Sequence, residues 1–489
     1  MERFDLIVVG AGSGLEVSAA AAEQGWRVAV IEEGPFGGTC LNRGCIPSKM
    51  LVHVADVART IAGAEQFGIR ARIDGVDWPA IVERTFAEID RDAAAIREGN
   101  RRSENITVIE GSARFIGHKQ IEVGDAQITA ETIVIAAGTR PSIPSVPGLA
   151  ESGFETTDTV MRIPELPRRL VILGGGFVGA EMAHVFGSLG CDVTIVTRGP
   201  AMLRDEDRDV SRRLTEAYAR RFRIVLGSEA RRITRRGDAR VIEVGTSGEP
   251  DADPTDSIEC DAILVATGRV SNADRLAVER SDVATDDRGF VETDEYLRTT
   301  VPGIWALGDI VGRYQLKHNA NLEAAHVANN LLNPDAMAAV DHHAMPAAVF
   351  GSPQIGSVGL TEQGAEEGGV AYVSATAAYD ATAYGGSIED HDGFVKVFAD
   401  PESGEILGCY VIGTDASTLV QEAVNLMRFR LPVDIIARSI YIHPALPEVM
   451  QAAFASMAQR VARVSDHHHD EAQDEDEHGT AHAREAAGD

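Results

Sequence analysis

Two thiols carry the most chemical information. Cys40 and Cys45 lie in GGTCLNRGCIPSK, residues 37–49, and the whole chain of 489 residues has five cysteines. A C-x4-C pair is poorly spaced for zinc, and no second Cys/His pair lies nearby in sequence to complete four ligands. It is also not the C-x-x-C of thioredoxin-like motifs. Its position distinguishes it. The pair directly follows a strand and a glycine turn of the kind that binds a dinucleotide.

That turn is GAGSGL. Gly10 permits the tight bend, Gly12 lets a pyrophosphate approach the backbone at a helix N-terminus, and Gly14 adds another residue without a side chain. Leu15 stands where the strict G-x-G-x-x-G pattern has its last glycine. Glu32, at the end of the following strand, is placed to hydrogen-bond a ribose hydroxyl. A second match is complete: Gly174, Gly176 and Gly179. Here the second strand runs into VTRGPAMLR, with Arg198 where an acid would stand and Arg204 six residues on. An acid there pairs with a free 2′-hydroxyl, whereas arginine suits a 2′-phosphate, so NADPH is expected over NADH. In an arginine-rich chain both side chains could instead be ordinary surface residues. A redox-active disulfide beside an isoalloxazine ring would explain both the cysteine pair and its place. Electrons would pass from nicotinamide to flavin to disulfide to substrate.

These groups need elements to position them. Residues 4–32 read strand, glycine turn, helix, strand, and 169–198 repeat that pattern, which points to two nucleotide-binding domains. Residues 50–100 read mostly helical and 104–137 as strands. AILVATGR and GIWALGDI read as short buried strands ending in glycine turns. From about residue 345 the texture becomes β, with helices expected at 416–431 and 446–463. The expected fold class is α/β: two Rossmann-like domains, for FAD and NADPH, plus an α+β C-terminal dimerisation domain. The expected division is 1–150 FAD domain, 151–265 NADPH domain, 266–340 second part of the FAD domain, 341–463 interface domain, and 464–489 a disordered acidic, His-rich tail. Such a tail can collect metal, but it reads as a solvated segment, and no metal site is expected.

Asp and Glu total 75 against 45 Lys and Arg, a formal charge of −30. Only Lys49, Lys119, Lys317 and Lys396 are lysines. So negative a field argues against nucleic acid or an anionic membrane as partner. It reads as adaptation to a salty cytoplasm; an acidic protein from a GC-rich genome is the plainer reading. No apolar run approaches a membrane span, and the N-terminus lacks the regions of a secretory signal, so a cytoplasmic location is expected.

GGTCLNRGCIPSK resembles the active-site signature of the flavin-dependent pyridine nucleotide–disulfide oxidoreductases. VIAAGTRP (134–141), GGGFVGAE (174–181), ATGRVSN (266–272), GIWALGD (303–309) and HPALPE (443–448) extend the resemblance over roughly residues 4–462. It implies that Cys45 is the flavin-proximal thiol, forming a charge-transfer pair with FAD, and that Cys40 is the interchange thiol that attacks substrate. It implies Lys49 near the flavin, paired with Glu181, and Phe177 as a lid over the nicotinamide pocket. Asp309 would hold the FAD ribityl and phosphate region, and Arg269 would contact the pyridine nucleotide. Thr39 and Gly138 fall at further cofactor-binding positions. His443 would protonate the leaving thiol, oriented by Glu448. In the family this histidine reaches the other subunit's site, so a homodimer with a shared active site is implied. Cys191, Cys260 and Cys409 read as buried free thiols.

The substrate implied is a low-molecular-weight disulfide. No C-terminal cysteine pair is present, which argues against mercuric and high-molecular-weight thioredoxin reductases. Ala20 stands where glutathione reductase keeps an arginine for the glycine carboxylate of glutathione. LKHNANLEA (316–324), ATGRVSNAD and YIHPALPEV look closest to mycothione reductase. The salt signature and the missing arginine together favour bis-γ-glutamylcystine, with mycothione or a lipoamide-type substrate as alternatives. A redox-sensing dinucleotide-binding protein with little turnover is the reading from another class. It would not need the cysteines, Lys49, Glu181, His443 and Glu448 together.

Overall fold

The computed structural model describes residues 1–249 and 252–464. The expected tail lies outside the described residues. The chain forms two compact units: Met1–Pro200 with Phe222–His342, and Ala201–Arg221 with the chain from His343 onward.

The first unit begins with β1 (Glu2–Val9), α1 (Gly14–Glu23) and β2 (Val28–Glu32). Leu6 to Val9 are all buried, the continuous apolar run of a strand covered on both faces. Three helices follow: α2 (Gly38–Arg43), α3 (Cys45–Gly63) and the long α4 (Trp78–Arg102). Residues 50–100 are mostly helical, as expected, with one break. Gly68 turns left-handed at φ +78°, residues 69–77 are irregular, and Asp77 then caps α4 by accepting from Ala80 N at 3.1 Å. Then come β3 (Ile106–Glu110), β4 (Ala113–Gly117), β5 (Gln120–Val123) and β6 (Ala126–Ile135). The sheet order is β3-β2-β1-β6-β5-β4, parallel from β3 to β6 and antiparallel beyond.

After β7 (Thr139–Pro141) and the short α5 (Leu149–Ser152), the second strand–helix–strand unit is β8 (Arg169–Leu173), α6 (Phe177–Ser188) and β9 (Asp192–Val196). α7 (Arg208–Ala219) belongs to the other unit. β10 (Arg223–Val225) returns beside β9. Next are β11 (Ser228–Arg236), β12 (Ala239–Thr246), β13 (Asp256–Cys260) and β14 (Ala262–Val265). β10-β9-β8-β14 form a parallel sheet and β11-β12-β13 an antiparallel one. β15 (Arg269–Ser271) pairs with β7, so Ser271 faces Thr139. The short α8 (Ala273–Leu276) follows, and β16 (Ile304–Ala306) lies along β6 at Ile133–Ile135. α9 (Lys317–Leu332) packs against α1. Every strand–turn junction that the glycine motifs mark is thus in this unit.

In the second unit, β17 (Pro346–Val349), β18 (Gln354–Gly359), α10 (Glu362–Gly368), β19 (Val373–Ala378), α11 (Ala383–Ser387), β20 (Phe394–Ala399), β21 (Ile406–Gly413) and α12 (Ala416–Arg428) build an antiparallel sheet of order β17-β18-β21-β20-β19. A final helix runs over 447–464. Val420, Val424, Met450 and Phe454 join one buried core with Val395, Val397 and Val411. α7 is anchored here by charge. Lys396 on β20 is buried, and its Nζ donates to Asp207 at 3.0 Å, Asp209 at 2.6 Å and Glu362 at 2.9 Å. No helix among the described residues is long and apolar enough to cross a membrane.

Candidate active site

α2 and α3 present the thiols. Cys40 is half-buried in α2 and Cys45 is the first residue of α3, with Gly44 between the helices. A Cβ at Gly44 would sit 3.0 Å from Thr39 O and 3.3 Å from the Cys40 Cα, so glycine allows the close turn that brings the sulfurs together. Both thiols are free and hydrogen-bonded to each other. That bond pulls the Cys40 thiol down to about 7, helped by the charge of Lys317 and opposed by burial and Asp309. The Cys45 thiol is pushed up. The causes are the bond it gives Cys40, then desolvation of its sulfur, then the Cys40 charge, with Glu181 adding to them. The resemblance puts the thiolate on Cys45. Lys317 adds to the lowering of Cys40 and Glu181 to the raising of Cys45, each as a lesser cause beside the bond between the two thiols.

Several expected residues converge on this pair. Glu181, buried on α6, acts electrostatically on Cys45. α6 packs against α3, which also carries the exposed Lys49. Arg269 donates from Nε to Thr139 Oγ1 and from its terminal nitrogen to Thr139 O, each at 2.7 Å. Thr139 in turn donates to Asp309 Oδ2 at 3.1 Å. Burial pushes the Asp309 carboxyl up, opposed by Arg269, the Thr139 hydroxyl and Lys317. Burial likewise lowers Arg269, opposed by Asp309 and Asp158.

The nucleotide turns fit the cofactors expected of them. A Cβ at Gly10, where φ is +106°, would lie 2.3 Å from Ala136 O, so the turn is pressed onto the sheet. The equivalent Gly174, at φ +126°, would clash with Ala266 O at 2.1 Å. α1 and α6 start without any side-chain cap, and a Cβ at Gly176 would meet nothing within 4 Å. In α1, Leu15 N and Glu16 N donate to Gly12 O at 3.3 Å and Ser13 O at 3.2 Å, and in α6 the uncapped N-terminus suits an anion. Glu32 accepts from Ala11 N at 2.7 Å and from Gly34 N at 2.9 Å. Each of its oxygens keeps a lone pair for a hydroxyl donor. Phe177 stands half-exposed at the start of α6. Arg198 follows β9 and is exposed, and Arg204 lies 3.6 Å from Asp205.

In the second unit, His443 donates from Nδ1 to Glu448 Oε1 at 2.8 Å, and Glu448 Oε2 accepts from Ala445 N at 3.0 Å. The bond to His443 holds the Glu448 carboxyl below its usual range. Nε2 is left for proton transfer, and the ring is 71% exposed.

Comparisons with known proteins now bear on the chain. The model of the pyridine nucleotide-disulphide oxidoreductases matches residues 4–324, and that of the family's dimerisation domain matches 345–454. The chain belongs to the pyridine nucleotide-disulphide oxidoreductase family. It is 42% identical to mycothione reductase of Mycobacterium tuberculosis (strain H37Rv), over 94% of this chain and 100% of that protein. It is 34% identical to dihydrolipoyl dehydrogenase of Chlamydia muridarum, over 92% of this chain and 95% of that one. Among solved structures, the HOCl-induced flavoprotein disulfide reductase RclA from Escherichia coli superposes with a TM-score of 0.81 at 27% identity, covering 92% of this chain and 99% of that one. As a member of this family the chain is an NAD(P)H-dependent disulfide oxidoreductase whose cofactors are FAD and NADPH, and it carries the family's dimerisation domain.

Several contributors were not anticipated from sequence. Lys317 lies far from the cysteines in the chain, and its only signal was being a lysine in an arginine-rich protein. Thr139 links Arg269 to Asp309. His184 on α6 is fully buried, bonded through Nε2 to Asp56 of α3 at 2.8 Å and through Nδ1 to the Ser188 hydroxyl at 3.2 Å. It ties the Cys45 helix to the Glu181 helix. Among the described residues no group of His, Cys, Asp and Glu could hold a metal ion.

Proposed function

We propose that this enzyme uses NADPH to reduce a low-molecular-weight disulfide through Cys40 and Cys45, and that the substrate is bis-γ-glutamylcystine. The observation that supports the chemistry best is the pair of free thiols on successive helices, brought together at Gly44 beside the first nucleotide turn. Bound FAD supplies the two-electron relay between NADPH and the cysteine pair. Gly10, Gly12, Gly14, Glu32, Thr39, Gly138 and Asp309 hold FAD. Gly174, Gly176, Phe177, Gly179 and Arg269 hold NADPH, with Arg198 and Arg204 selecting its 2′-phosphate. Lys49 and Glu181 pair beside the thiols.

The Cys40 thiolate attacks one sulfur of the substrate; the substrate S–S bond breaks and a mixed disulfide forms. The leaving thiolate takes a proton from the His443 imidazolium of the partner subunit, which Glu448 orients. Cys45 then attacks the Cys40 sulfur, and its proton passes through the now neutral His443 to the departing sulfur. This expels the second substrate sulfur as a thiol and closes the Cys40–Cys45 disulfide. Two electrons from NADPH reopen it, so one disulfide, one NADPH and one proton give two thiols and NADP⁺.

Phe429, Ile440 and Ile442 are largely exposed, apolar and close to His443 in sequence, which suits burial against a second copy. The domain division into 1–150, 151–265, 266–340 and 341–463 is part of this reading, as is work in the cytoplasm, where thiols stay reduced. The −30 charge and the four lysines support a salty cytoplasm. Ala20, small and half-buried on α1, supports a substrate without the glycine carboxylate of glutathione. A second reading, mycothione, is favoured by the 42% identity to a mycothione reductase. The test is NADPH oxidation in molar KCl with bis-γ-glutamylcystine, glutathione disulfide, mycothione and lipoamide. Preference for the first is expected; preference for mycothione or lipoamide would overturn the substrate assignment and leave the thiol mechanism standing.

A further inference from the structure

α3 and α6 pack against each other, and each carries a stripe of the same spacing. On α3 the stripe is Cys45, Lys49, Val52 and Asp56; on α6 it is Phe177, Glu181, His184 and Ser188. Steps of four, three and four residues keep a stripe within about 60° around a helix, so each set shares one face. The stripes run the same way, with Glu181 acting on Cys45 at one end and His184 bonded to Asp56 at the other. That bond runs from His184 Nε2 to Asp56 Oδ1 at 2.8 Å, and the Ser188 hydroxyl meets Nδ1 at 3.2 Å. A carboxylate only accepts, so Nε2 carries a proton. α6 is buried from Gly179 to Phe186, and Glu181 and His184 are the polar side chains of that run. A buried imidazole costs free energy unless it is bonded. Apolar packing is non-directional and holds two helices together without fixing how far one slides along the other. The His184–Asp56 bond is directional and does fix it. Ser188, His184 and Asp56 are the members of a hydrolase triad, yet the imidazole is fully buried and gives a substrate no access, so its work is positional.

We propose that His184 is a positioning residue for flavin reduction by NADPH: held by Asp56, it locks the register of α6 on α3, so that Phe177 and Glu181 keep their places relative to Cys45 and Lys49. This rests on the reading of Phe177 as the nicotinamide lid and of Lys49 and Glu181 as a pair beside the thiols. Asp56 stands two turns along α3 from Lys49, and His184 two turns along α6 from Phe177 and one from Glu181. A slip at the His184 level is therefore carried along both helices to the reacting end. A displacement there of about 1 Å costs up to about a hundredfold in rate.

The test takes two readouts from the FAD holoenzyme. Anaerobic stopped-flow mixing with saturating NADPH reads the rate of flavin bleaching, and hydrogen–deuterium exchange without NADPH reads the amides of residues 177–188. Asp56→Ala, at a half-exposed position, is expected to slow bleaching about tenfold and to speed exchange over 177–188. Asp56→Asn, whose amide oxygen still accepts from Nε2, is expected to hold bleaching within about twofold of the natural protein. His184→Leu keeps an apolar side chain in the site and loses both bonds. It should match Asp56→Ala, and the double variant should be no slower than either single one, because all three remove the same link. Faster exchange with an unchanged bleaching rate in Asp56→Ala and His184→Leu would make the bond a structural tie and overturn the positioning role, as would an equal slowing in Asp56→Asn. Glu181→Gln reports on the reading beneath: slower bleaching is expected, and an unchanged rate there would overturn the Lys49–Glu181 pair itself.

Discussion

A thiol pair sharing one proton has a built-in division of labour: one sulfur is ready to attack and the other is held back to resolve. Here the turn at Gly44 sets Cys40 on one helix against Cys45 at the start of the next, and the spacing of the cysteines alone did not show that geometry. At the same scale, Glu448 fixes the His443 ring through Nδ1 and leaves Nε2 as the proton-carrying atom. Glu448→Ala is expected to lower kcat about ten- to a hundredfold, a part of what a positioned general acid contributes. Glu448→Gln, which keeps an acceptor for Nδ1–H, should lose less. Steady-state assays with FAD content measured alongside check this, and equal, negligible losses in both variants would remove His443 from the chemistry.

At the scale of elements, the two strand–turn–helix units were legible because their signals are local: buried β-branched runs, glycines at the bends, Glu32 at a strand end. α7 was not. Its sequence lies between two strands of the second parallel sheet, yet it packs in the other unit, and the cause is an ion cluster assembled from three separate segments. Lys396 is buried among Asp207, Asp209 and Glu362, and Asp207 also caps α7 by accepting from Asp209 N at 3.0 Å. Removing the ammonium leaves a fully buried carboxylate uncompensated. Lys396→Met is therefore expected to cost about 3–5 kcal/mol of stability, read by urea unfolding of the holoenzyme. A loss within a few tenths of a kcal/mol would mean that α7 is held by packing alone. Lys317 was missed for the same reason. Pairings between distant segments have no periodicity to betray them, and a lone lysine is ordinarily a surface residue.

For the whole molecule, the family could be read from six stretches in order, and the fold class followed from it. What composition adds is different in kind: a charge of −30 describes the solvent the protein suits, not the bond it breaks. The substrate therefore stays tied to Ala20 and to charge, whereas the chemistry is tied to geometry. The chemistry is what one experiment reaches most directly. Air-oxidised holoenzyme is denatured and alkylated with iodoacetamide, with and without prior anaerobic NADPH, and the label is mapped by mass. Cys191, Cys260 and Cys409 should be labelled in both samples, because they are buried free thiols exposed by denaturation. Cys40 and Cys45 should be labelled only after NADPH. Equal labelling of Cys40 and Cys45 with and without NADPH would contradict the redox pair, and with it the disulfide reductase mechanism built on it.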